Sequence, residues 1–221
     1  METIYIIIIL ILILIYLNTQ PSYYETIDNS QEQSKLPLWS YWQTKPNQQM
    51  PDYIKVCFET FNNCSDNFDI IILDEKTVYK YLPDLRKDLD ELNSLAQKTD
   101  YIRVALLYNY GGLWLDADTI VMNDLHEIVD KLNEGYDYIG FGCSYETCPI
   151  SGYPKPSNGA MASQKHSILM KLCLDDLDKA LDNKKDFGYF ELGKEVIWKN
   201  LRELLKIDYV YYHFSSYADG S

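Results

Sequence analysis

Asp116 and Asp118 stand one residue apart in Leu113-Trp114-Leu115-Asp116-Ala117-Asp118, where an apolar run ends in acid. Three consecutive apolar residues suit a buried strand, so the two aspartates are expected where that strand runs out. Side chains of extended backbone return to the same face every second residue, which sets both carboxylates on one side and turns Ala117 away. Such a pair of hard oxygen donors suits Mg²⁺ or Mn²⁺, ions that take one or two protein carboxylates and complete their shell with water and substrate phosphates. The chemistry expected is that of a metal-bound phosphate ester.

The residues before the pair must position it. Thr99 or Asp100 is placed to cap a helix of about ten residues that turns Ile102, Val104, Leu106 and Leu107 inward, and Gly111 falls where a left-handed C-terminal cap is wanted. Asp100 and Arg103 lie three apart and share a face of that helix. They set an acceptor of hydroxyl protons beside a planar cation suited to phosphate or sugar oxygens. Gly111-Gly112 then turns the chain into the strand. The plainer alternatives are a solvated turn for Asp116 and Asp118, and for Asp100 and Arg103 a surface ion pair worth little.

Taken together, Asp100, Tyr101, Arg103, Leu107, Tyr108, Gly111, Gly112, Trp114, Asp116 and Asp118 spell DYxRxxxLYxxGGxWxDxD. This string resembles the DXD-containing sugar transferases related to the initiating α-1,6-mannosyltransferase and to capsular polysaccharide synthesis proteins, a glycosyltransferase family 32-like group. The resemblance runs from about Lys35 onward, since Leu38-Trp39-Ser40-Tyr41-Trp42 followed by Pro51, Ile54 and Cys57 looks like that group's opening strand and first helix. It implies an α/β GT-A fold with a single Rossmann-like nucleotide-sugar-binding domain, a UDP- or GDP-hexose donor, Mn²⁺ or Mg²⁺, and retaining transfer to a hydroxyl of a glycan or glycoconjugate. It also implies that Asp116, Asp118 and His213 serve the metal, Asp118 directly, Asp116 through water or by contacting the ribose instead, and His213 completing the shell, and that Asp116, Asp118, Asp100 and Arg103 are catalytic. Donor contacts are implied for Trp42, Asp100, Arg103, Gly112, Asp116 and Asn158. Trp39, Tyr41 and Trp42 read equally well as core aromatics, His213 as a structural histidine, and Asn158-Gly159-Ala160 as an ordinary turn. The last residues, His213 to Ser221, lack the Ser-Trp finish of the mannosyltransferase branch, which leaves the donor open.

Length and charge agree with one catalytic domain. The chain has 221 residues, within the span of roughly 50–250 for a single domain once an anchor and linker are removed. A formal charge of −13 speaks against nucleic acid as a partner, because backbone binding needs clustered Lys and Arg. The same acidity repels a nucleoside diphosphate, so a metal and Arg103 are expected to reverse the local field.

Ile4 to Leu17 is an almost unbroken Ile/Leu run without charge. As a helix at about 1.5 Å per residue it covers around 21 Å, short of a hydrocarbon core of roughly 30 Å unless its neighbours extend it. With no basic region before it and no small-x-small cleavage site after it, a membrane anchor over residues 1–20 is expected rather than a cleaved signal. Residues 21–35 are polar and aperiodic and read as a stem, leaving 36–221 for the catalytic domain. The resemblance favours a single-pass protein whose catalytic domain is lumenal, Golgi- or ER-like, if the source is eukaryotic or viral. Within the domain, Phe68–Leu73 and Tyr136–Gly142 read as strands and Val78–Tyr81 as a short helix, an alternation that implies an α/β sheet with ligands at the carboxyl ends of its strands.

The five cysteines form no zinc pattern. Cys57 with Cys64, and Cys143 with Cys148, are close enough to pair in an oxidising compartment, while buried thiols are the stronger reading. Leu115-Asp116-Ala117-Asp118-Thr119 also spells the DxDxT signature of haloacid-dehalogenase-type phosphatases, in which the first aspartate accepts the phosphoryl group. Such enzymes need a later strand-borne acidic pair, whereas Asp175-Asp176 lies in a helical pattern. A catalytically inactive anchored domain that only binds sugars is the remaining alternative.

Overall fold

A computed structural model of the chain describes residues 35–143, 155–183 and 186–214, the side chains of Cys143 and His213 excepted. The hydrophobic segment 1–20, the stem up to Ser34, Cys148 and the tail from residue 215 lie outside the described residues. Among those described, no helix is long and apolar enough to cross a membrane. The longest have sixteen residues against the ~20 apolar residues a span needs, and they pack on a sheet. The expectation of a single-pass membrane protein with a lumenal domain is corrected accordingly.

From Lys35 onward the chain forms one compact unit. Strand β1 (Leu36–Tyr41) leads to helix α1 (Asp52–Thr60) and strand β2 (Phe68–Leu73). Pro51 pre-sets the entry to α1, Asp52 sits in its first turn, and Ile54 and Cys57 are its buried residues, an arrangement in which the charge of Asp52 complements the positive end of the helix dipole. Two 3₁₀ turns, Thr77–Lys80 and Lys87–Glu91, carry the chain to helix α2 (Leu95–Tyr110) and strand β3 (Gly112–Leu115). There follow α3 (His126–Asn133), β4 (Tyr138–Cys143), β5 (Lys155–Ser163), α4 (Ile168–Asn183), α5 (Lys194–Leu204) and β6 (Tyr211–Phe214). The strands expected at Phe68–Leu73 and within Tyr136–Gly142 are present, and Val78–Tyr81 overlaps a 3₁₀ turn rather than an α-helix.

The sheet runs β2-β1-β3-β5-β4-β6. β2, β1 and β3 are parallel, β5 runs against both β3 and β4, and β4 pairs parallel with β6. The carboxyl ends of β1, β2 and β3 therefore share one edge, and β5 sets Ala160 opposite Leu115 at that edge. Every residue of β3 is buried, as expected of a central strand covered on both faces. Trp39, Trp114 and Met161 pack on one side with α2, α4 and α5 residues, while Leu38, Leu113 and Ala162 pack on the other with α3 residues and the turn after α1.

Helix α2 is longer than expected. Ser94 caps it, its Oγ accepting from the Ala96 N–H at 3.2 Å, so neither Thr99 nor Asp100 is a cap. Asp100 lies mid-helix, where burial and its side-chain partners hold it. Gly111 caps the C-terminal end as expected, with φ +70° and its N–H on the Leu107 carbonyl, but its ψ of −160° lies outside the left-handed helical region.

Gly112 has φ +92°, and a Cβ there would overlap the Pro37 carbonyl oxygen and lie 2.8 Å from Pro37 Cγ. Gly112→Ala is expected to cost about 2–3 kcal/mol, from left-handed strain plus overpacking, read as a lower urea midpoint with unchanged slope.

Candidate active site

Four elements converge where β3 ends. Asp116 follows Leu115 and, by strand alternation, turns to the face of Trp114 and α2. Its Oδ1 accepts from the Trp114 indole N–H at 2.8 Å and lies 3.1 Å from the Arg103 guanidinium. Its backbone N–H bonds the Gly159 carbonyl at 2.7 Å, which extends the β3–β5 pairing by one residue. Oδ2 faces Gly159, where an added Cβ would sit 3.0 Å away; the Asn-Gly pair lets β5 pass this close to a carboxylate.

Arg103, 4% exposed, is the hub. It bonds the Asn158 carbonyl, lies 3.4 Å from Asp100 Oδ1, and sets its guanidinium 5.1 Å from the Trp114 ring centre. Its Nε is buried with no partner among the described residues. Asn158 donates to Asp100 Oδ1 at 2.8 Å. Asp100 and Arg103 are therefore a buried network and not a surface pair. Burial raises the Asp100 carboxyl to about 6 against the opposing pull of Arg103, with Asp116 adding to the rise and Lys194 to the pull. Burial likewise raises Asp116, countered by Arg103 and the Trp114 N–H.

The raised carboxyl ties stability to pH. The folded state keeps a proton on Asp100 up to about 6, while the unfolded chain releases it near the usual 3.8. The contribution of this group is fully present below the unfolded value and is lost as pH rises through the folded one. Asp100→Asn is expected to flatten that part of the stability profile, measured by thermal denaturation across the interval.

Asp118 is exposed and acts electrostatically on Asp116 and on the buried Cys57 thiol. Beyond Asp116 the backbone is a turn at Ala117-Asp118, closed by the Thr119 N–H on the Asp116 carbonyl at 3.0 Å, so the extended alternation expected to set both carboxylates on one face does not hold. The pair is asymmetric, one carboxylate tied to Arg103 through one oxygen, the other open to solvent. Among the described residues no group of three His, Cys, Asp or Glu side chains forms a metal cage. A free Asp116 Oδ2 with Asp118 fits a divalent ion of the Mg²⁺ or Mn²⁺ kind, which needs only one or two carboxylates when phosphates supply the rest.

The remaining expected residues divide. Trp42 follows the carboxyl end of β1, with its backbone N–H on the Leu73 carbonyl and its buried indole N–H without a partner among the described residues. Trp39 and Tyr41 are core: Trp39 bonds the Gly111 carbonyl and packs edge-on to Tyr81, and the Tyr41 hydroxyl donates to Gln43. Gly112 begins β3 whereas Asp116 follows its end, about 13 Å away at strand rise, so Gly112 stands apart from the Asp116 network and packs on Pro37. His213 lies on β6 in register with Gly140, and its side chain is outside the described set. Cys57, Cys64 and Cys173 are buried free thiols, so Cys57 and Cys64 are unpaired; Cys143 and Cys148 lie outside the described side chains.

Sequence reasoning missed Gly193 and Lys194 at the start of α5. A Cβ on Gly193 would lie 2.6 Å from both Asp100 Oδ2 and Asn158 Nδ2, and the Lys194 charge acts on Asp100. The available signal was a glycine directly before the amphipathic run Lys194–Leu204.

A family model described as capsular polysaccharide synthesis protein matches residues 11–184 of the chain. The chain belongs to the capsular polysaccharide synthesis protein family. Among solved structures it is similar to one titled PaToxG glycosyltransferase, at 18% identity and a TM-score of 0.55, over 79% of this chain and 71% of that one. A comparison with curated proteins gives no match. This member of the capsular polysaccharide synthesis family therefore has a mixed α/β fold with a central sheet, similar to that of a glycosyltransferase. Family and fold agree, at that coarse level, with the transferase class that the resemblance implied.

Proposed function

We propose that the protein is a metal-dependent glycosyltransferase that moves a hexose from a nucleotide-sugar donor to a hydroxyl of a glycan or glycoconjugate. The observation that carries this reading is the network Asp100–Arg103–Asn158–Asp116 at the carboxyl ends of the parallel strands, where open α/β sheets bind ligands, in a chain of a capsular polysaccharide synthesis family.

Asp118 and Asp116 Oδ2 would hold Mn²⁺ or Mg²⁺, which when bound supplies charge neutralisation to the departing diphosphate. Arg103 holds Asp116 Oδ1 and leaves Oδ2 for the ion. Asp100 and Arg103 bind the donor hexose, and Trp42 at the end of β1 offers a face to the nucleotide base. Both Asp100 and Asp116 are tied to Arg103, which makes either a poor nucleophile. Retention by front-face attack, with the leaving phosphate taking the acceptor proton, is the route in keeping with that arrangement; positioning and electrostatics then supply the rate.

The purified chain with Mn²⁺ is expected to hydrolyse at least one UDP- or GDP-hexose slowly without acceptor. Inertness toward the whole panel removes the proposal. No turnover is expected with p-nitrophenyl phosphate, because Asp175 and Asp176, the pair a phosphatase would need, lie on α4 bonded to Lys171 and to Lys199 and Asn200. Monoester cleavage accompanied by beryllium fluoride trapping at Asp116 would favour the phosphatase instead.

A further inference from the structure

Tyr189 and Phe190 are 64% and 48% exposed, although they belong to a tightly held loop. Phe187 and Leu192, on either side, are buried. The Gln97 amide on α2 donates to the Phe187 carbonyl at 3.0 Å and to the Gly188 carbonyl at 3.3 Å, and the Gly188 N–H bonds Glu191 Oε2 at 2.9 Å. The N–H groups of Gly193 and Glu195 both reach the Phe190 carbonyl. Two large apolar rings are thus held out to water by a backbone fixed at both ends. Their burial would be favourable, so their exposure needs a reason.

Their place relative to the network gives one. From Asp116 it is 3.1 Å to Arg103, and from Arg103 it is 3.4 Å to Asp100. Asp100 Oδ2 abuts Gly193, Gly193 bonds Phe190, and Lys194 Nζ stands 4.8 Å over the Phe190 ring. If the diphosphate lies at Asp116 and Asp118 and the donor hexose at Asp100, the aromatic loop is the segment that adjoins the hexose position through Gly193. The two rings meet edge to face, with centres 4.9 Å apart and planes at 82°, so together they form a corner rather than a flat patch. A pyranose has an apolar C–H face suited to an aromatic ring and hydroxyls at its rim suited to a cation such as Lys194.

We infer that Tyr189 and Phe190, with Lys194, form an acceptor subsite that stacks on a sugar ring of the glycan being extended. The inference rests on the transferase reading above for its place in the reaction, and deepens it by naming a carbohydrate acceptor.

Saturation-transfer NMR on the full chain tests it directly, with methyl α- and β-hexopyranosides of gluco, galacto and manno configuration as probes. Irradiating the aromatic protons is expected to transfer saturation to the ring C–H protons of at least one glycoside. The Tyr189→Leu/Phe190→Leu variant keeps apolar bulk and removes both aromatic faces, and is expected to raise the dissociation constant by about tenfold or more. Lys194→Gln should weaken binding by a smaller factor with the same ring protons in contact. No transfer to any glycoside, or undiminished transfer in the double-leucine variant, overturns the subsite. Transfer without donor hydrolysis counts against the transferase reading and leaves the sugar subsite standing; hydrolysis without transfer does the reverse.

Discussion

Asp118→Asn is expected to lower the rate of donor hydrolysis by at least about a hundredfold, the scale on which removing a transition-state charge stabiliser acts. The substitution keeps size and removes charge from an exposed side chain, so the fold should be unaffected, and equal urea midpoints for the two proteins would show that. Asp116 makes a poorer test, since its Oδ1 belongs to the Arg103 network and its loss disturbs packing as well as the ion. Removing the metal with EDTA should reproduce the loss in the native chain and add little in the variant, because both interventions strike one interaction. Full activity in EDTA with both aspartates intact would refute metal dependence.

Much of this site was legible because its geometry is local. Leu113-Trp114-Leu115 announced a buried strand, Gly111 its turn, and the spacing of Asp100 and Arg103 their common helix face; each depends on backbone periodicity that a few neighbouring residues set. What a single stretch does not encode is what packs on it. The asymmetry of Asp116 and Asp118 arises because Arg103 and Trp114 claim one carboxylate, whereas the apolar run alone marks Trp114 only as strand filler. Asp100 suits a cap by residue type, because Asp favours that position, yet Ser94 starts the helix and the bond from Asn158, 58 residues away in sequence, holds Asp100 in its interior. Gly112 carried a binding expectation from the family string, whereas its positive φ and contact with Pro37 give it a structural role. Gly193 and Lys194 escaped notice since their importance lies wholly in a long-range approach to Asp100.

Arg103→Met is expected to destabilise the protein by about 3–5 kcal/mol at pH 7, the range for breaking a buried pair by removing one partner. Methionine fills much of the volume and preserves contact with Trp114, so the loss isolates charge and hydrogen bonding. Asp100 and Asp116 would be left close together without their shared cation, and the Asn158 carbonyl without its donor. Arg103→Lys should recover only part of the stability. A single ammonium on a flexible stem does not match the fork that reaches Asp100, Asp116 and the Asn158 carbonyl together. The pH dependence identifies the cause. Without Arg103 both carboxyls rise further above their unfolded values, so the folded state can hold its protons to higher pH, and the deficit should shrink as pH falls toward 4.5. Urea titrations at both pH values give the comparison. A loss below about 1 kcal/mol at pH 7 would match an exposed ion pair and contradict a buried network, whereas a loss independent of pH would assign the effect to packing on Trp114 instead of to the two carboxylates.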